Sequence, residues 1–160
     1  MKSVNSDYIV KCMDAYDYSN RIWIILEMME AGTLTKIITD RKGAYSEHFC
    51  KYALYCVAQG LKALHDKNIV HRDVKSDNVL VKFTGEIKLA DLGFSVYLTQ
   101  EHSYRDSQKG TPSWMAPEIV KGQPYSKEVD IWSLGIFAYE LATGDPPFVD
   151  RRNSTIYEDI

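Results

Sequence analysis

The sequence has 160 residues, of which 45% are apolar and 26% charged, with a net charge of −3 at pH 7. This length suits one compact domain, and the composition is unlike that of disordered or fibrous proteins. Because no block of lysine and arginine stands out, nucleic acid and anionic membranes are not expected partners.

The cysteines and the apolar segments predict a soluble, cytoplasmic protein. Cys12, Cys50 and Cys56 are odd in number and form no Cys-x-x-Cys pair, which favours reduced thiols over disulfides or a zinc site. The longest apolar stretch, residues 129–142, is too short to span a bilayer. Residues 1–7 lack the apolar core and cleavage site of a signal peptide.

The first third of the chain predicts a hairpin and a short helix. Residues 9–16 and 22–26 have strand character, and Asp-Tyr-Ser-Asn at 17–20 has the chemistry of a turn, so we expect an antiparallel pair. A connector at 28–32 leads to a helix over 34–40.

The clearest predicted helix covers residues 46–65, with Ser46 as its N-cap and Glu47 favourable for the helix dipole. Its apolar stripe consists of Phe49, Tyr52, Ala53, Cys56, Val57, Gly60, Leu61 and Leu64. Short apolar runs at 69–70, 79–81 and 87–89 then predict small strand pairs.

A long polar stretch, residues 93–122, precedes the last strong helix signal. Loops of this length in a compact domain are usually functional or disordered. Ser126 is the expected cap of the helix that follows, which ends at Gly144. This helix is apolar on almost every side, as is typical of the buried centre of a domain.

The chemistry is concentrated in residues 71–78, His-Arg-Asp-Val-Lys-Ser-Asp-Asn, between two short apolar runs. Phosphoryl transfer needs a carboxylate for the proton of the attacking hydroxyl, cations for the phosphate charge, and oxygen ligands for magnesium. Asp73 suits the first role and Lys75 the second. Asn78 and Asp91 suit the third, since Mg²⁺ prefers a few oxygen ligands beside phosphate and water.

At these residues the chain resembles the protein kinases. Asp73 and Asn78 fall on the aspartate and asparagine of their His-Arg-Asp loop, and Asp91 falls on their Asp-Phe-Gly triplet, with Leu92 replacing the phenylalanine. Further matches, in the family order, are Ala116-Pro117-Glu118, residues 130–135 and residues 144–148.

The resemblance is closest to the PAK and related sterile-group kinases, in residues 71–78 and 110–115. Lys75, two residues after Asp73, favours the serine/threonine type over the tyrosine type. By this resemblance Thr111 would help Lys75 and Asp73 to position a substrate hydroxyl.

The same resemblance implies ATP and Mg²⁺ as cofactors. Leu26 would be the gatekeeper, the Glu27 carbonyl and the Met29 backbone would bind adenine, and Leu80 would form part of the adenine floor. Lys75 would contact phosphate. The alternative is that these positions are a strand end and core leucines.

Ser107 lies four residues before Thr111, where PAK-like kinases carry an activating phosphothreonine. We expect phospho-Ser107 to pair with Arg72 and to order the loop. The alternative is an ordinary polar loop serine.

Parts of the kinase pattern do not match. No Gly-rich loop precedes Tyr8, and Lys2 and Lys11 are more simply solvated charges than catalytic lysines. Residues 154–160 resemble the start of a helix. We therefore expect a partial kinase domain, with residues 1–28 from the N-lobe and residues 29–160 forming the hinge and an incomplete C-lobe.

Such a partial domain would expose apolar surface around Trp132 and Phe137, which predicts poor stability and aggregation. The expected fold is α+β, with a mainly α-helical C-lobe and a hairpin from the N-lobe. The expected function is a serine/threonine protein kinase that acts on a protein substrate, with a small-GTPase-linked or other upstream regulator. The alternative is a non-catalytic, kinase-like module that binds partners.

Overall fold

The computed structural model describes residues 4–41, 45–101 and 104–147. The strands are Cys12–Tyr18 (β1), Arg21–Leu26 (β2), Gly32–Thr33 (β3), Ile69–Val70 (β4), Val79–Val81 (β5), Ile87–Leu89 (β6) and Val96–Tyr97 (β7). The α-helices are Leu34–Arg41 (α1), Glu47–His65 (α2), Pro117–Val120 (α3) and Glu128–Thr143 (α4), with short 3-10 helices at Ser76–Asn78 and Pro112–Trp114. This mixture agrees with the predicted α+β class.

Strands β1 and β2 form the expected antiparallel hairpin. Ser19 and Asn20 make its two-residue turn with φ of 54° and 59°, the left-handed values that a tight hairpin turn requires. The first strand begins later than predicted, because Ile9 and Val10 pair with Leu89 of β6 instead. Every side chain of β2 is exposed, although most of them are apolar.

Two small sheets frame the polar loops. One has the order β3-β5-β6 and the other pairs β4 with β7, and all these pairs are antiparallel. The predicted limits of β4, β5 and β6 are confirmed. Strands β3 and β7 were not predicted, because each lies in a stretch assigned to a connector or a polar loop and is defined by its pairing with a strand distant in sequence.

Helices α2 and α4 pack together around the main apolar core. The predicted stripe on α2 is buried from Ala53 to Leu64, but Tyr52 at its edge is exposed. The Ser46 side chain accepts a hydrogen bond from the Phe49 amide at 3.3 Å, which confirms it as the N-cap.

The predicted start of α4 was wrong. Its N-cap is Lys127, and no side chain caps the helix there. The amide of Ser126 instead donates to the Glu128 carboxylate at 2.7 Å, so this carboxylate satisfies backbone near the helix start. At the other end, Gly144 has φ of 99° and terminates the helix as predicted.

The predicted exposure around α4 was half right. Trp132 is 40% exposed, but Phe137 is 0% exposed because it packs into the main core. The terminal segment at 154–160 lies outside the described residues. Cys12, Cys50 and Cys56 are free thiols, and none of the helices described is long and apolar enough to cross a bilayer.

The two serines before α2 and α4 give a matched test of capping. Ser46→Ala should lower the free energy of unfolding by about 1 kcal/mol, because an orphan amide of α2 loses its acceptor. Ser126→Ala should change it by less than about 0.5 kcal/mol. Hydrogen exchange of the α2 and α4 amides in the full-length protein measures the difference. Equal effects of the two substitutions would contradict the assignment of the caps.

Candidate active site

The carboxylate of Asp130, at the start of α4, holds the backbone of the 71–78 loop. Its Oδ2 accepts from the His71 amide and its Oδ1 from the Arg72 amide, both at 2.8 Å. The ring Nε2 of His65 lies 2.7 Å from Oδ2. Asp130 is fully buried, so these contacts replace the water that a charged group needs.

His71 links this loop to the chain before Asp91. Its Nε2 lies 3.0 Å from the Ala90 carbonyl, and its Nδ1 lies 3.2 Å from the Asp73 amide. A carbonyl can only accept and an amide can only donate, so the partners specify a neutral ring protonated at Nε2. The buried ring therefore fixes the spacing between Asp73 and Ala90.

Asp73 is the centre of a compact polar cluster. Its Oδ1 accepts from the Thr111 hydroxyl at 2.6 Å, and its Oδ2 accepts from the Asn78 amide nitrogen at 2.7 Å. The Lys75 ammonium lies 3.2 Å from Oδ2 and 2.6 Å from the Thr111 hydroxyl. The structure thus brings together Asp73, Lys75, Asn78 and Thr111, which the sequence had singled out.

A cavity of about 470 Å³ lies beside this cluster. Its lining includes the apolar residues Leu26, Leu80 and Ala90 and the polar residues Asn78 and Asp91. The amide nitrogen of Asn78 donates to both the backbone and the side chain of Asp73, so its Oδ1 is directed away from that carboxylate. The cavity is thus lined by both polar and apolar side chains.

The predicted adenine contacts are only partly at this cavity, since Glu27 and Met29 are not among its lining residues. The Glu27 carboxylate binds the Lys88 ammonium at 2.8 Å and the Lys82 ammonium at 3.2 Å. Burial alone would raise the pKa of Glu27, but hydrogen bonds from Lys88, the Lys11 amide and Lys82 lower it overall. Met29 packs in a small buried cluster with Val10, Ala90 and Leu80.

Two residues of the site have strained backbone. Arg72 has φ of 69° and Asp91 has φ of 58°, in the left-handed region that non-glycine residues seldom adopt. The Asp91 Oδ1 accepts from the Gly93 amide at 2.9 Å, which supports its turn. Such strain persists only where surrounding contacts hold it, and it is common in active sites.

The side chain of Arg72 reaches Ser107. Its Nη1 donates to the Ser107 hydroxyl at 2.7 Å and to the Tyr125 hydroxyl at 2.9 Å, while its Nε donates to the Phe94 carbonyl at 2.6 Å. The Tyr125 hydroxyl donates to the Ser107 carbonyl at 2.8 Å. The predicted pair of Ser107 and Arg72 is therefore in contact, and Tyr125 is a partner that the sequence analysis missed.

Gly110 lets the 107–115 segment approach the 71–78 loop closely. Its φ is 132°, and a Cβ atom there would lie 2.6 Å from the Arg72 carbonyl. Any side chain would push the two segments apart, which would separate Thr111 from Asp73.

The sequence analysis assigned no role to the buried polar residues of α4. Asp130, Ser133 and Glu140 lie on the buried face of the helix and contact the loops of the site. Polar side chains at spacings of three and seven in an otherwise apolar helix were the signal, because buried polar groups need partners.

Comparison with known proteins gives a consistent result. The family model described as Protein kinase domain matches residues 1–160. Serine/threonine-protein kinase pakA of Dictyostelium discoideum is 42% identical over 151 residues, which cover 94% of this chain and 13% of that protein. Serine/threonine-protein kinase shk1/pak1 of Schizosaccharomyces pombe is 40% identical over 153 residues, or 94% of this chain and 23% of that protein. The chain thus spans less than a quarter of the length of these relatives.

Asp130→Asn tests the anchor of the 71–78 loop. An amide can accept through only one of its two ends, so one buried backbone amide would lose its acceptor, at a cost of at least about 2 kcal/mol. We expect a lower thermal midpoint and faster hydrogen exchange at His71 and Arg72. Glu128→Gln, on the same helix, is the control. Unchanged exchange at both amides in Asp130→Asn would contradict the anchor.

Proposed function

The chain belongs to the protein kinase domain family, and we propose that it carries the centre with which the whole protein transfers the γ-phosphoryl group of ATP to a serine or threonine hydroxyl of a protein. The observation that carries this proposal is the Thr111 hydroxyl, which donates to Asp73 and accepts from Lys75. A hydroxyl with these contacts is in the environment that an attacking substrate hydroxyl needs.

In this proposal Asp73 is the base. It orients the substrate hydroxyl and accepts its proton, while Asn78 and Thr111 hold its two carboxylate oxygens in place. The Lys75 ammonium lies 3.2 Å from the Asp73 carboxylate and offsets negative charge on the transferring phosphoryl group. These residues would contribute to catalysis mainly by positioning and charge stabilisation, as expected for phosphoryl transfer.

The polar residues that line the cavity fit magnesium. Asn78 and Asp91 offer an amide oxygen and a carboxylate, the hard ligands that Mg²⁺ uses together with phosphate and water. In the described ranges no cluster of three or more His, Cys, Asp and Glu side chains could form a complete metal cage by itself. Bound magnesium supplies positive charge beside the phosphates of ATP.

The apolar lining of the cavity suits adenine. Leu26 and Leu80 are among the lining residues, which supports the proposal that they are gatekeeper and floor. The proposal also assigns hydrogen bonds with adenine to the Glu27 carbonyl and the Met29 backbone. The division between an N-lobe part at 1–28 and a hinge and C-lobe part at 29–160 stays a prediction.

Regulation is proposed from the likeness to PAK-type relatives. The Arg72 guanidinium already binds the Ser107 hydroxyl, so a phosphate on Ser107 would add strong acceptors beside a fixed cation. An upstream regulator linked to a small GTPase and a cytoplasmic location are further parts of this proposal.

Asp73→Asn tests the chemistry. We expect magnesium-dependent transfer of labelled phosphate from ATP to a generic basic protein to fall by about 10²-fold or more, because the base is removed. ATP binding should persist. The full-length protein is the material for this assay, and Asp66→Asn, at an exposed carboxylate, is the control.

The same assay separates the enzyme from a non-catalytic module that binds partners. Transfer that depends on Asp73 supports the enzyme. If neither wild type nor Asp73→Asn transfers phosphate, the module is favoured and the proposed function fails.

Ser107→Ala tests the regulatory site. We expect at least about a ten-fold loss of activity in the phosphorylated protein, because charge-assisted hydrogen bonds contribute about 1.5–3 kcal/mol. Ser126→Ala, beside Tyr125 but outside the Arg72 cluster, should keep full activity. Mass spectrometry of Ser107 accompanies the assay. Unchanged activity in Ser107→Ala would exclude this role.

A further inference from the structure

A second polar network lies behind the site, between α1, the 71–78 loop and α4. The Glu140 carboxylate accepts from the Ser76 amide at 3.3 Å, from the Ser76 hydroxyl, and from the Trp114 indole nitrogen at 3.1 Å. The Thr35 hydroxyl of α1 lies 2.6 Å from the Ser76 hydroxyl. Ser76 is 0% exposed and Glu140 is 4% exposed, so the centre of the network is closed to water.

The hydrogen bonds of this network have one direction. The Ser76 hydroxyl donates its single hydrogen to the Glu140 carboxylate. Ser76 then has only lone pairs for Thr35, and the Thr35 hydroxyl must be the donor. The order Thr35 to Ser76 to Glu140 makes each hydroxyl polarise the next, so loss of one member weakens the others.

The network contacts both chain segments of the proposed site, the 71–78 loop and the 107–115 segment. Ser76 follows Lys75 directly and begins the 3-10 helix that ends at Asn78. Trp114 belongs to the 107–115 segment, where its amide donates to the Thr111 carbonyl at 2.9 Å. Glu140 therefore holds the neighbours of Lys75, Asn78 and Thr111.

The burial of the Glu140 carboxylate indicates a role in positioning its neighbours. Burial raises the pKa of Glu140, while the hydrogen bonds from Ser76 and Trp114 act in the opposite direction. A buried charge is costly, and well-packed apolar residues often replace buried charged groups without loss of stability. A carboxylate at this place is therefore better explained by what it positions than by what it stabilises.

We propose that Glu140, Ser76 and Thr35 form a positioning network that sets the catalytic geometry of Lys75 and Asn78 and couples it to helix α1. This inference rests on the proposed function. None of the three residues has a contact with Asp73 among the hydrogen bonds and ion pairs of the described residues, so the network acts through its neighbours.

Steady-state kinetics of the full-length protein test the proposal. Ser76→Ala and Thr35→Val should each lower kcat at least about five-fold, with KM for ATP changed less than about two-fold, because geometry rather than nucleotide binding is lost. Lys36→Gln and Glu128→Gln, at exposed positions of α1 and α4, are the controls and should keep wild-type kcat.

A double-mutant cycle tests the coupling. Thr35 and Glu140 are joined only through Ser76 in this network, so independent roles would give multiplicative losses in Thr35→Val, Glu140→Gln and their combination. We expect kcat of the double variant to be at least about three-fold higher than the value that multiplicative losses predict. Multiplicative losses would overturn the network.

Hydrogen exchange keeps the test independent of activity. Amides 76–79 should exchange at least about ten-fold faster in Ser76→Ala and in Thr35→Val, with little change in the amides of α2. If these variants only lower the thermal midpoint and leave exchange at 76–79 and kcat unchanged, the role is structural and the proposal fails. A wild type without Asp73-dependent transfer would overturn the proposed function, while the exchange result would still decide the network.

Discussion

The buried carboxylate of Asp130 is the interaction on which the rest of the site depends. It satisfies two consecutive amides of the 71–78 loop and contacts a ring nitrogen of His65, far from water. Once His71 and Arg72 are held, the Arg72 guanidinium is aimed at the 107–115 segment, and the next residue, Asp73, meets Thr111. A loop without periodic structure thus gains a fixed shape from one charge that cannot move without losing all its donors.

Helix α4 serves as both core and scaffold. Its buried face carries both apolar and polar residues. The apolar residues pack in the core with α2, and the polar residues bind the neighbouring loops. Asp130 holds the 71–78 loop, Ser133 holds the Trp114 carbonyl, and Glu140 holds Ser76. Rigid secondary structure is a better support for a site than another loop, because its side chains are locked by the surrounding packing.

The sequence predicted what local patterns encode and missed what distant contacts decide. Periodicity located α2, and residue chemistry at fixed spacing singled out Asp73, Asn78 and Asp91, whose roles stay predictions. Helix α4 is apolar nearly all round, so no stripe could indicate that Phe137 faces inward and Trp132 outward. The Ser126 cap failed because the N-cap is Lys127, one residue later, and the Ser126 amide donates to the Glu128 carboxylate. Tyr125 was missed because its role depends on Arg72, which is remote in sequence.

The left-handed backbone of Arg72 and Asp91 has a consequence for how this region responds to substitutions around it. Each such residue costs about 1–3 kcal/mol relative to ordinary backbone. The observed backbone conformation is therefore stable only while the surrounding contacts offset this cost. Substitutions that loosen the contacts around these two residues can therefore change the shape of this region while the helices stay folded.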